Sequence, residues 1–345
     1  MSDATAHRLP PVLLQMVFGF FPAQVLYVAA RLRIPDLVAD GAKSSEELAE
    51  ATGTHAASLY RLLRALAYLG ILQEAEPGRF GLTELGTPLR SDATDSVWAT
   101  TLLFCGEGGW RSWGDLLSSV RTGATAFDES SGTDPFARFA GDPEASATFN
   151  QAMSEGTGRD APGIIASYDF GQFQTLVDMG GGDGTLIAAI LGATPGLQGV
   201  LFDTAPGLAH ATKRLEAAGV GDRCELVEGD FFESVPAGAD AYIMKSVIHD
   251  WDDERCVTIL ANCRRAMADG AKVLVVEPVL PPKVEPSFTR LGVIMSDLNM
   301  LLNTGGRERT EAEFASLLRP ARLELTAVVP IPPPSVYSVI EAVAT

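Results

Sequence analysis

One ten-residue run constrains the fold of this chain more than any other segment. Residues 176–185 read LVDMGGGDGT, an apolar stretch that passes into a glycine-rich turn. The run predicts a buried strand, a tight turn and a helix, which is how an open α/β sheet forms a nucleotide pocket at the end of its first strand. Glycines let the backbone approach a ligand closely, and the first turn of the helix leaves N–H groups unpaired. The run therefore indicates a nucleotide-binding α/β domain.

The glycine spacing favours an adenosine-containing cofactor over a dinucleotide. The glycines of the turn are Gly180, Gly182 and Gly184. A dinucleotide-binding motif would place its third glycine at position 185 or 187, where this chain has Thr185 and Ile187. Asp203 ends the next apolar run, where its carboxylate can accept hydrogen bonds from both hydroxyls of a ribose. A glycine turn alone is often only a tight connection, so the prediction depends on this pairing with an acid.

Strands and helices alternate after this run. The sequence predicts strands at 175–179, 199–203, 223–227, 240–245 and 272–277, and helices at 184–193, 206–218 and 253–268. Alternation at this spacing predicts a mostly parallel, doubly wound sheet.

The C-terminal end departs from this alternation. A helix at 289–303 and a helix at 311–318, opened by a capping-box pattern, precede strands at 323–329 and 336–343. The link between these two strands is too short for a helical crossover, so the last strand should be antiparallel to its neighbour. In this respect the fold resembles the class I S-adenosylmethionine-dependent methyltransferases.

Composition limits the size class and the partners. The 345 residues suit two domains, and a net charge of −18 argues against nucleic acid or anionic membranes as partners. The four cysteines lack metal-ligand spacing, which favours free thiols of a cytoplasmic protein over a disulfide framework.

The N-terminal segment from Leu9 to Ala30 is apolar over a length near the ~20 residues that span a bilayer. Because Pro10, Pro11 and Pro22 interrupt it, we expect a pair of hydrophobic helices rather than a membrane anchor. Apolar surface of this kind usually marks a subunit interface, so the chain should form a homodimer through its N-terminal domain.

Residues 44–90 predict two helices and a two-stranded ribbon, the pattern of a winged helix. This pattern raises the alternative of a DNA-binding regulator that senses a metabolite with its second domain. Six acidic and four basic residues give this unit a net charge of −2, which makes a dimerisation scaffold the better interpretation. The predicted domains are a winged-helix dimerisation domain at 1–95, a helical connector at 96–168 that contributes to the substrate pocket, and a cofactor-binding domain at 169–345.

Chemistry-bearing side chains collect at the predicted strand ends. Asp230 and Phe231 follow the third strand, where an adenine could be hydrogen-bonded and covered. His249 follows the fourth strand, Glu277 ends the fifth and Glu308 lies in a later loop. Carboxylates near an imidazole set its tautomer and stabilise its charged form, so these three residues predict a catalytic site.

The motifs together resemble one family: the bacterial and plant small-molecule O-methyltransferases, which have an N-terminal winged-helix dimerisation domain. The resemblance rests on VDMGGGDGT, FDTAPG, GDFFE, MKSVIHDWDDE, VVEP and GGRERTEAEF, and spans nearly the whole chain. It implies S-adenosylmethionine as cofactor and His249 as general base, flanked by Glu277 and Glu308. The implied cofactor-binding residues are Gly180, Gly182, Asp203, Asp230, Phe231, and Lys245 or Ser246.

The expected reaction is methylation of a hydroxyl on a small aromatic molecule. A phenol with a pKa near 10 lies roughly 3.5 units, or about 5 kcal/mol, above an ordinary histidine. Proton abstraction coupled to methyl transfer avoids that cost. We expect no metal, because the acids stand singly on separate segments. The predicted acceptor pocket is lined by Met153, Trp251, Met295, Asn299 and Asn303.

Two questions stay open from the sequence. One alternative is a relative of the same fold that methylates nitrogen or carbon, or that has diverged to another reaction, although a histidine with two glutamates favours an oxygen nucleophile that needs a base. The identity of the acceptor, and whether it is free or carried by another protein, cannot be read from these residues.

Overall fold

The computed structural model of the chain describes residues 11–126, 136, 142–286 and 291–345. This part of the chain forms two compact units, one extending to Trp110 and one beginning at Arg111. The predicted connector of residues 96–168 is therefore divided between them.

The first unit has the predicted two-helix and hairpin pattern. Its helices are α1 (Pro11–Val17), α2 (Phe20–Arg31), α3 (Ile34–Leu37), α4 (Ser45–Thr52), α5 (Ala56–Tyr68) and α6 (Trp98–Cys105). Strands β1 (Lys43–Ser44), β2 (Leu72–Glu76) and β3 (Arg79–Leu82) pair antiparallel in the order β1-β3-β2, one strand more than predicted. Leu59, Leu63 and Leu66 bury one face of α5, the period of three and four residues that packs an amphipathic helix.

The N-terminal apolar segment consists of two short helices. Their break falls at Gly19 rather than at Pro22, because Pro22 lies in the first turn of α2, where a missing N–H costs little. Within the described ranges, no helix combines the length and apolar character needed to cross a membrane. Eight apolar side chains here are between 41% and 57% exposed: Val12, Leu13, Leu14, Met16, Val17, Phe18, Phe20 and Phe21.

A single large sheet organises the second unit. Its strands are β4 (Thr175–Met179), β5 (Gln198–Asp203), β6 (Cys224–Glu228), β7 (Ala241–Lys245), β8 (Lys272–Leu280), β9 (Arg309–Thr310), β10 (Leu323–Pro330) and β11 (Tyr337–Ala344). The remaining α-helices of the described residues are α7 (Glu107–Gly114), which includes the boundary between the units, α8 (Leu116–Thr122), α9 (Pro143–Ser167), α10 (Thr185–Ala193), α11 (Ala211–Ala217), α12 (Asp253–Ala266), α13 (Leu291–Asn303) and α14 (Glu311–Leu318).

The sheet order is β10-β11-β8-β7-β4-β5-β6, with β9 paired to β8. Strands β4 to β8 pair in parallel, and β11 runs antiparallel between β8 and β10. The predicted doubly wound sheet with an antiparallel last strand is confirmed. Along β7, Ala241 and Ile243 enter one core while Tyr242 and Met244 enter the other, so both faces are buried and the strand ends are left to carry the site.

Some predicted element bounds differ from the structure. The helix predicted at 206–218 begins as a 3-10 turn at Gly207–His210 and becomes α-helical only at Ala211. A Cβ at Gly207 would lie 2.2 Å from Asp203 Oδ1, so this tight start depends on glycine. Residues 289–290 of the helix predicted at 289–303 lie outside the described residues.

Candidate active site

β4 ends in a turn that depends on three glycines. Gly180, Gly182 and Gly184 have φ angles of 68°, 58° and 79°, in the left-handed region that favours glycine. Space is also short, because a Cβ at Gly180 would lie 3.0 Å from Val247 Cγ2. α10 begins directly after the turn, and Asp183 Oδ1 accepts the N–H of Thr185, the first residue of the helix, at 3.1 Å.

Two carboxylates flank this turn. Asp203 Oδ2 accepts the N–H of Gly182 at 2.8 Å, and Oδ1 accepts the N–H of Thr204 at 2.6 Å. Asp178 lies buried in β4, and its Oδ2 has no hydrogen-bond partner. Burial, reinforced by the negative charge of Asp203, raises the pKa of Asp178 to about 7. Asp178 was not predicted as a site residue, although an acid within an apolar strand was a usable signal.

Asp230 and Phe231 lie beyond the end of β6. Asp230 is exposed, and its Oδ1 accepts the N–H of Phe232 at 2.8 Å. The Phe231 ring packs 4.9 Å from the Phe232 ring and 6.3 Å from the Trp251 ring, between centroids. A Cβ at Gly180 would lie 3.7 Å from Phe231 Cε1, so this ring stands beside the glycine turn.

These groups fit S-adenosylmethionine. Asp203 offers a carboxylate for the ribose, and Asp230 with Phe231 offers a carboxylate and an aromatic wall for the adenine. A Cβ at Gly182 would have no neighbour within 4 Å, so the glycine turn borders open space at that position. The donor set and the shape therefore agree with the cofactor that the sequence predicts.

The side chains of Lys245 and Ser246, at the end of β7, contact other residues of the protein. Lys245 Nζ lies 3.4 Å from Asp160 Oδ2 and 4.3 Å from the centroid of the Tyr337 ring. Ser246 has a left-handed backbone with φ of 56°, and its Oγ lies 3.0 Å from the Tyr337 hydroxyl. Burial opposes the charge on Lys245, but Tyr337 and Asp160 outweigh burial and raise the pKa of Lys245. The contact of either residue with the cofactor stays a prediction.

Three ionisable residues meet at the turn after β7. His249 lies in a 3-10 turn at Ile248–Asp250 and is 8% exposed. Its Nδ1 lies 2.9 Å from Glu308 Oε1 and 3.2 Å from Glu277 Oε2. Because an ionised carboxylate only accepts hydrogen bonds, we infer that the ring proton is on Nδ1, which leaves Nε2 as the basic nitrogen.

Glu277 holds the backbone of this turn through Oε1, and its Oε2 faces the imidazole without a hydrogen bond. Its Oε1 accepts the N–H groups of Val247, Ile248 and His249 at 3.0, 3.0 and 3.3 Å. Glu277 is completely buried, and burial, only partly opposed by His249, raises its pKa to about 7. One glutamate therefore sets both the position of the turn and the electrostatics of the imidazole.

Glu308 is held by α13 and by a close-packed loop. Ser296 Oγ donates to Glu308 Oε1 at 2.6 Å, and the N–H of Glu308 donates to Asp297 Oδ1 at 2.9 Å. In the same loop, a Cβ at Gly306 would lie 2.0 Å from the carbonyl oxygen of His249. Ser296, Asp297 and Gly306 were not predicted; the Gly305-Gly306 pair was the available signal for the loop.

The electrostatics of the cluster favour a protonated imidazole. Burial works against the charged form of His249, but Glu277, Asp250 and Glu308 outweigh it and raise the pKa of His249 well above its ordinary value. Ligand atoms of His249, Glu277 and Glu308 all lie within 4.8 Å of one another, close enough to hold a metal ion. The acids lie on separate segments of the chain, as predicted, and folding brings them together; that no metal binds stays a prediction.

The predicted acceptor residues are in different environments. Met153 and Met295 are 36% and 38% exposed, on α9 and α13 respectively. Asn303 Nδ2 donates to Asn299 Oδ1 at 3.0 Å, so these two amides bind each other. Trp251 is buried. Its ring centroid lies 4.8 Å from that of Phe232, so Trp251 packs in the aromatic group that also contains Phe231. Binding of acceptor by these five residues stays a prediction.

The comparisons with known proteins cover almost the whole chain. Residues 113–323 match the family profile of the O-methyltransferase domain, and residues 14–91 match that of the O-methyltransferase dimerisation domain. The chain is 45% identical over 341 residues to phenazine O-methyltransferase of Lysobacter antibioticus, covering 99% of this chain and 98% of the relative.

A solved structure connects this fold to the cofactor. An O-methyltransferase from neocarzinostatin biosynthesis, in complex with S-adenosylmethionine and 2-hydroxy-5-methyl naphthoic acid, superposes with a TM-score of 0.81 at 35% identity. The similarity covers 99% of this chain and all of that one.

The relatives are not all oxygen-directed. An 8-amino-8-demethylriboflavin N,N-dimethyltransferase of Streptomyces davaonensis is 37% identical over 328 residues, 94% of this chain and 92% of that protein. The comparisons therefore establish methyl transfer and its cofactor, and the chain belongs to the S-adenosylmethionine-dependent O-methyltransferase family of bacterial secondary metabolism.

Proposed function

We propose that this enzyme methylates a hydroxyl group of a small aromatic secondary metabolite, with His249 as general base. The proposal depends on the position of His249 Nδ1, which lies within 3.2 Å of the buried carboxylates of Glu277 and Glu308. That arrangement orients the ring and leaves Nε2 as the nitrogen that takes the proton of the acceptor.

The cluster is suited to the proton that an O-methylation must remove. Bound S-adenosylmethionine would supply the electrophilic methyl group. His249 would take the hydroxyl proton, and Glu277 and Glu308 would stabilise the resulting imidazolium. Because these carboxylates raise the pKa of His249, they narrow the roughly 3.5-unit gap to a phenol.

The remaining residues would hold the two substrates. Asp203 would bind the ribose, Asp230 and Phe231 the adenine, the turn through Gly180 and Gly182 the methionine moiety, and Lys245 or Ser246 would add a contact. The acceptor would lie against Met153, Trp251, Met295, Asn299 and Asn303. The named relatives point to hydroxylated phenazines and naphthoates as the first acceptor class to assay.

The alternatives make different demands on the chain. An amine acceptor has a free lone pair and needs a general base less than a hydroxyl does. Methylation of nitrogen, as in the riboflavin-type relative, would therefore not require the buried cluster of His249, Glu277 and Glu308. The net charge of −2 on residues 44–90 disfavours a DNA-binding regulator. We also propose a cytoplasmic homodimer that associates through the N-terminal domain.

Replacement of the histidine tests the proposal. His249→Ala should bind S-adenosylmethionine with wild-type affinity by calorimetry, yet lose on the order of 10²–10⁴ in kcat on a hydroxyphenazine or hydroxynaphthoate. His210→Ala, at an exposed histidine of the same unit, is the matched control and should keep wild-type turnover.

Three outcomes would overturn parts of this proposal. Unchanged turnover of His249→Ala removes the base, and lost cofactor affinity reassigns His249 to binding. Faster wild-type turnover of the corresponding amino compounds than of the hydroxyl compounds favours methylation of nitrogen.

A further inference from the structure

Arg309 is the largest completely buried side chain of the described residues. It lies in the two-residue strand β9, directly after Glu308, and pairs with Val279 of β8. A fully buried guanidinium is costly unless its donors find acceptors, so the contacts that it makes show what the fold uses it for.

The guanidinium binds the turn that carries His249. Nη1 donates to the carbonyl oxygen of Ile248 at 3.3 Å, and Nη2 donates to that of Trp251 at 3.1 Å. Glu277 accepts N–H groups from the same turn. The turn is therefore held on its N–H side by a buried carboxylate and on its carbonyl side by a buried cation.

The same guanidinium holds the segment that carries Glu308. Nη1 also donates to the carbonyl oxygen of Arg307 at 3.2 Å, on the residue before Glu308. Nε and Nη2 donate to Asp253 Oδ1 at 3.2 and 2.8 Å, at the start of α12. One planar group thus connects three segments, and Asp253 supplies the balancing charge.

We propose that Arg309 is a positioning residue that sets the contact between His249 and Glu308. It acts by joining the turn that carries the imidazole to the strand that begins beside the glutamate, and the inference rests on the proposed role of His249 as base. A lysine keeps the charge, but a single ammonium cannot span the carbonyl oxygens of Ile248 and Trp251 together with Asp253, because its donors radiate from one atom.

Arg309→Lys tests this inference. We expect S-adenosylmethionine affinity within threefold of wild type, a 10- to 100-fold lower kcat, and an acidic limb of kcat/KM displaced to lower pH. The displacement follows because a looser contact with Glu308 stabilises the imidazolium less. Arg307→Lys is the matched control: Arg307 is half-exposed, also pairs with Asp253 and should keep a wild-type pH profile.

A double-mutant comparison separates this inference from the proposed function. In a His249→Ala background, Arg309→Lys should not lower the residual rate further, because Arg309 acts through the histidine. If His249→Ala turns over like wild type, the base assignment fails. If His249→Ala is inactive while Arg309→Lys keeps the wild-type pH profile, only the role of Arg309 fails.

A milder variant covers the case in which Arg309→Lys does not fold. Asp253→Asn leaves the guanidinium in place but removes its charge partner, and should displace the acidic limb in the same direction by a smaller amount. An unmoved acidic limb in Asp253→Asn, or a lower thermal midpoint without a change in pH profile, would assign Arg309 to stability alone.

Discussion

At His249, the balance between burial and neighbouring charge decides which protonation state the enzyme presents to its acceptor. Burial alone would lower the pKa of this imidazole, and the carboxylates that face it reverse the sign. A base with a raised pKa is stronger, but it is protonated over more of the neutral range. Activity should therefore decline as the pH falls through the raised pKa of His249, above 6.5.

Glu308→Gln should move this acidic limb to lower pH. The amide keeps an oxygen that can accept from Nδ1, but the lost negative charge lowers the pKa of His249. Because the imidazolium is stabilised less, we also expect kcat to fall about 10- to 100-fold. A kcat/KM profile between pH 5.5 and 9.5 measures both effects.

The exposed Glu311 offers a control for charge alone. Glu311→Gln removes the same charge nearby in sequence and should leave the profile unchanged. An acidic limb that stays in place, or moves to higher pH, in Glu308→Gln would contradict the role given to Glu308.

The sequence correctly predicted that His249, Glu277 and Glu308 lie together. It did not predict the residues that hold these three side chains in place. His249 and Glu277 follow from the rule that ligands bind where parallel strands end, and Glu308 from the family motif. Ser296, Asp297 and Asp160 could not be predicted this way, because they lie on helices. Which helix face packs against the strand ends is decided only in the folded chain.

Among the elements, those with local hydrogen-bonding signals were predicted best. The helix expected at 311–318 begins at Glu311, and Thr310 and Glu313 make both bonds of the predicted capping box. The catalytic turn is different. Its N–H and carbonyl groups are bound by Glu277 and Arg309, which are distant in sequence. No local sequence pattern therefore predicts the conformation of this turn.

Gly306→Ala should distort the turn that carries His249, because Gly306 packs directly against that turn. The new Cβ would lie 2.0 Å from the carbonyl oxygen of His249, so the backbone must shift. We expect a loss of roughly 1–3 kcal/mol in stability from overpacking and at least a tenfold fall in kcat, measured by thermal unfolding and by turnover.

The neighbouring glycine separates this clash from loop strain. Gly305 is exposed and has φ of 78°, which asparagine tolerates, so Gly305→Asn should stay close to wild type in both measurements. Equal losses in the two variants would mean that the loop conformation, rather than the close approach, governs the effect.

For the whole molecule, the largest consequence concerns assembly. The eight exposed apolar side chains lie on or between the first two helices, and six of them fall within residues 14–91, the segment that matches a dimerisation domain. A contiguous exposed apolar surface of this kind is rare on a protein that stays monomeric. We therefore expect a homodimer in which these helices are covered by a second copy.

Met16→Asp combined with Phe21→Asp should convert the dimer to a monomer. Both side chains are more than half exposed, so the charges cost little in the monomer but oppose burial in an interface. Sedimentation would measure the mass. Tyr68→Asp, at a 91% exposed aromatic of the same unit, should leave the dimer intact. A monomeric wild type, or a double variant that stays dimeric, would refute this interface.

The order of strands and helices, the glycine turn, the capped helices and the antiparallel last strand were all determined by the sequence itself. These features follow from hydrophobic period, turn chemistry and connection length, which act over a few residues. Tertiary structure alone decided what holds these groups in place: Ser296 donates to Glu308, and Arg309 binds the carbonyl groups of the turn that carries His249. The physical reason is that a buried charge can be stabilised only by partners that folding brings within hydrogen-bond distance, whatever their separation along the chain.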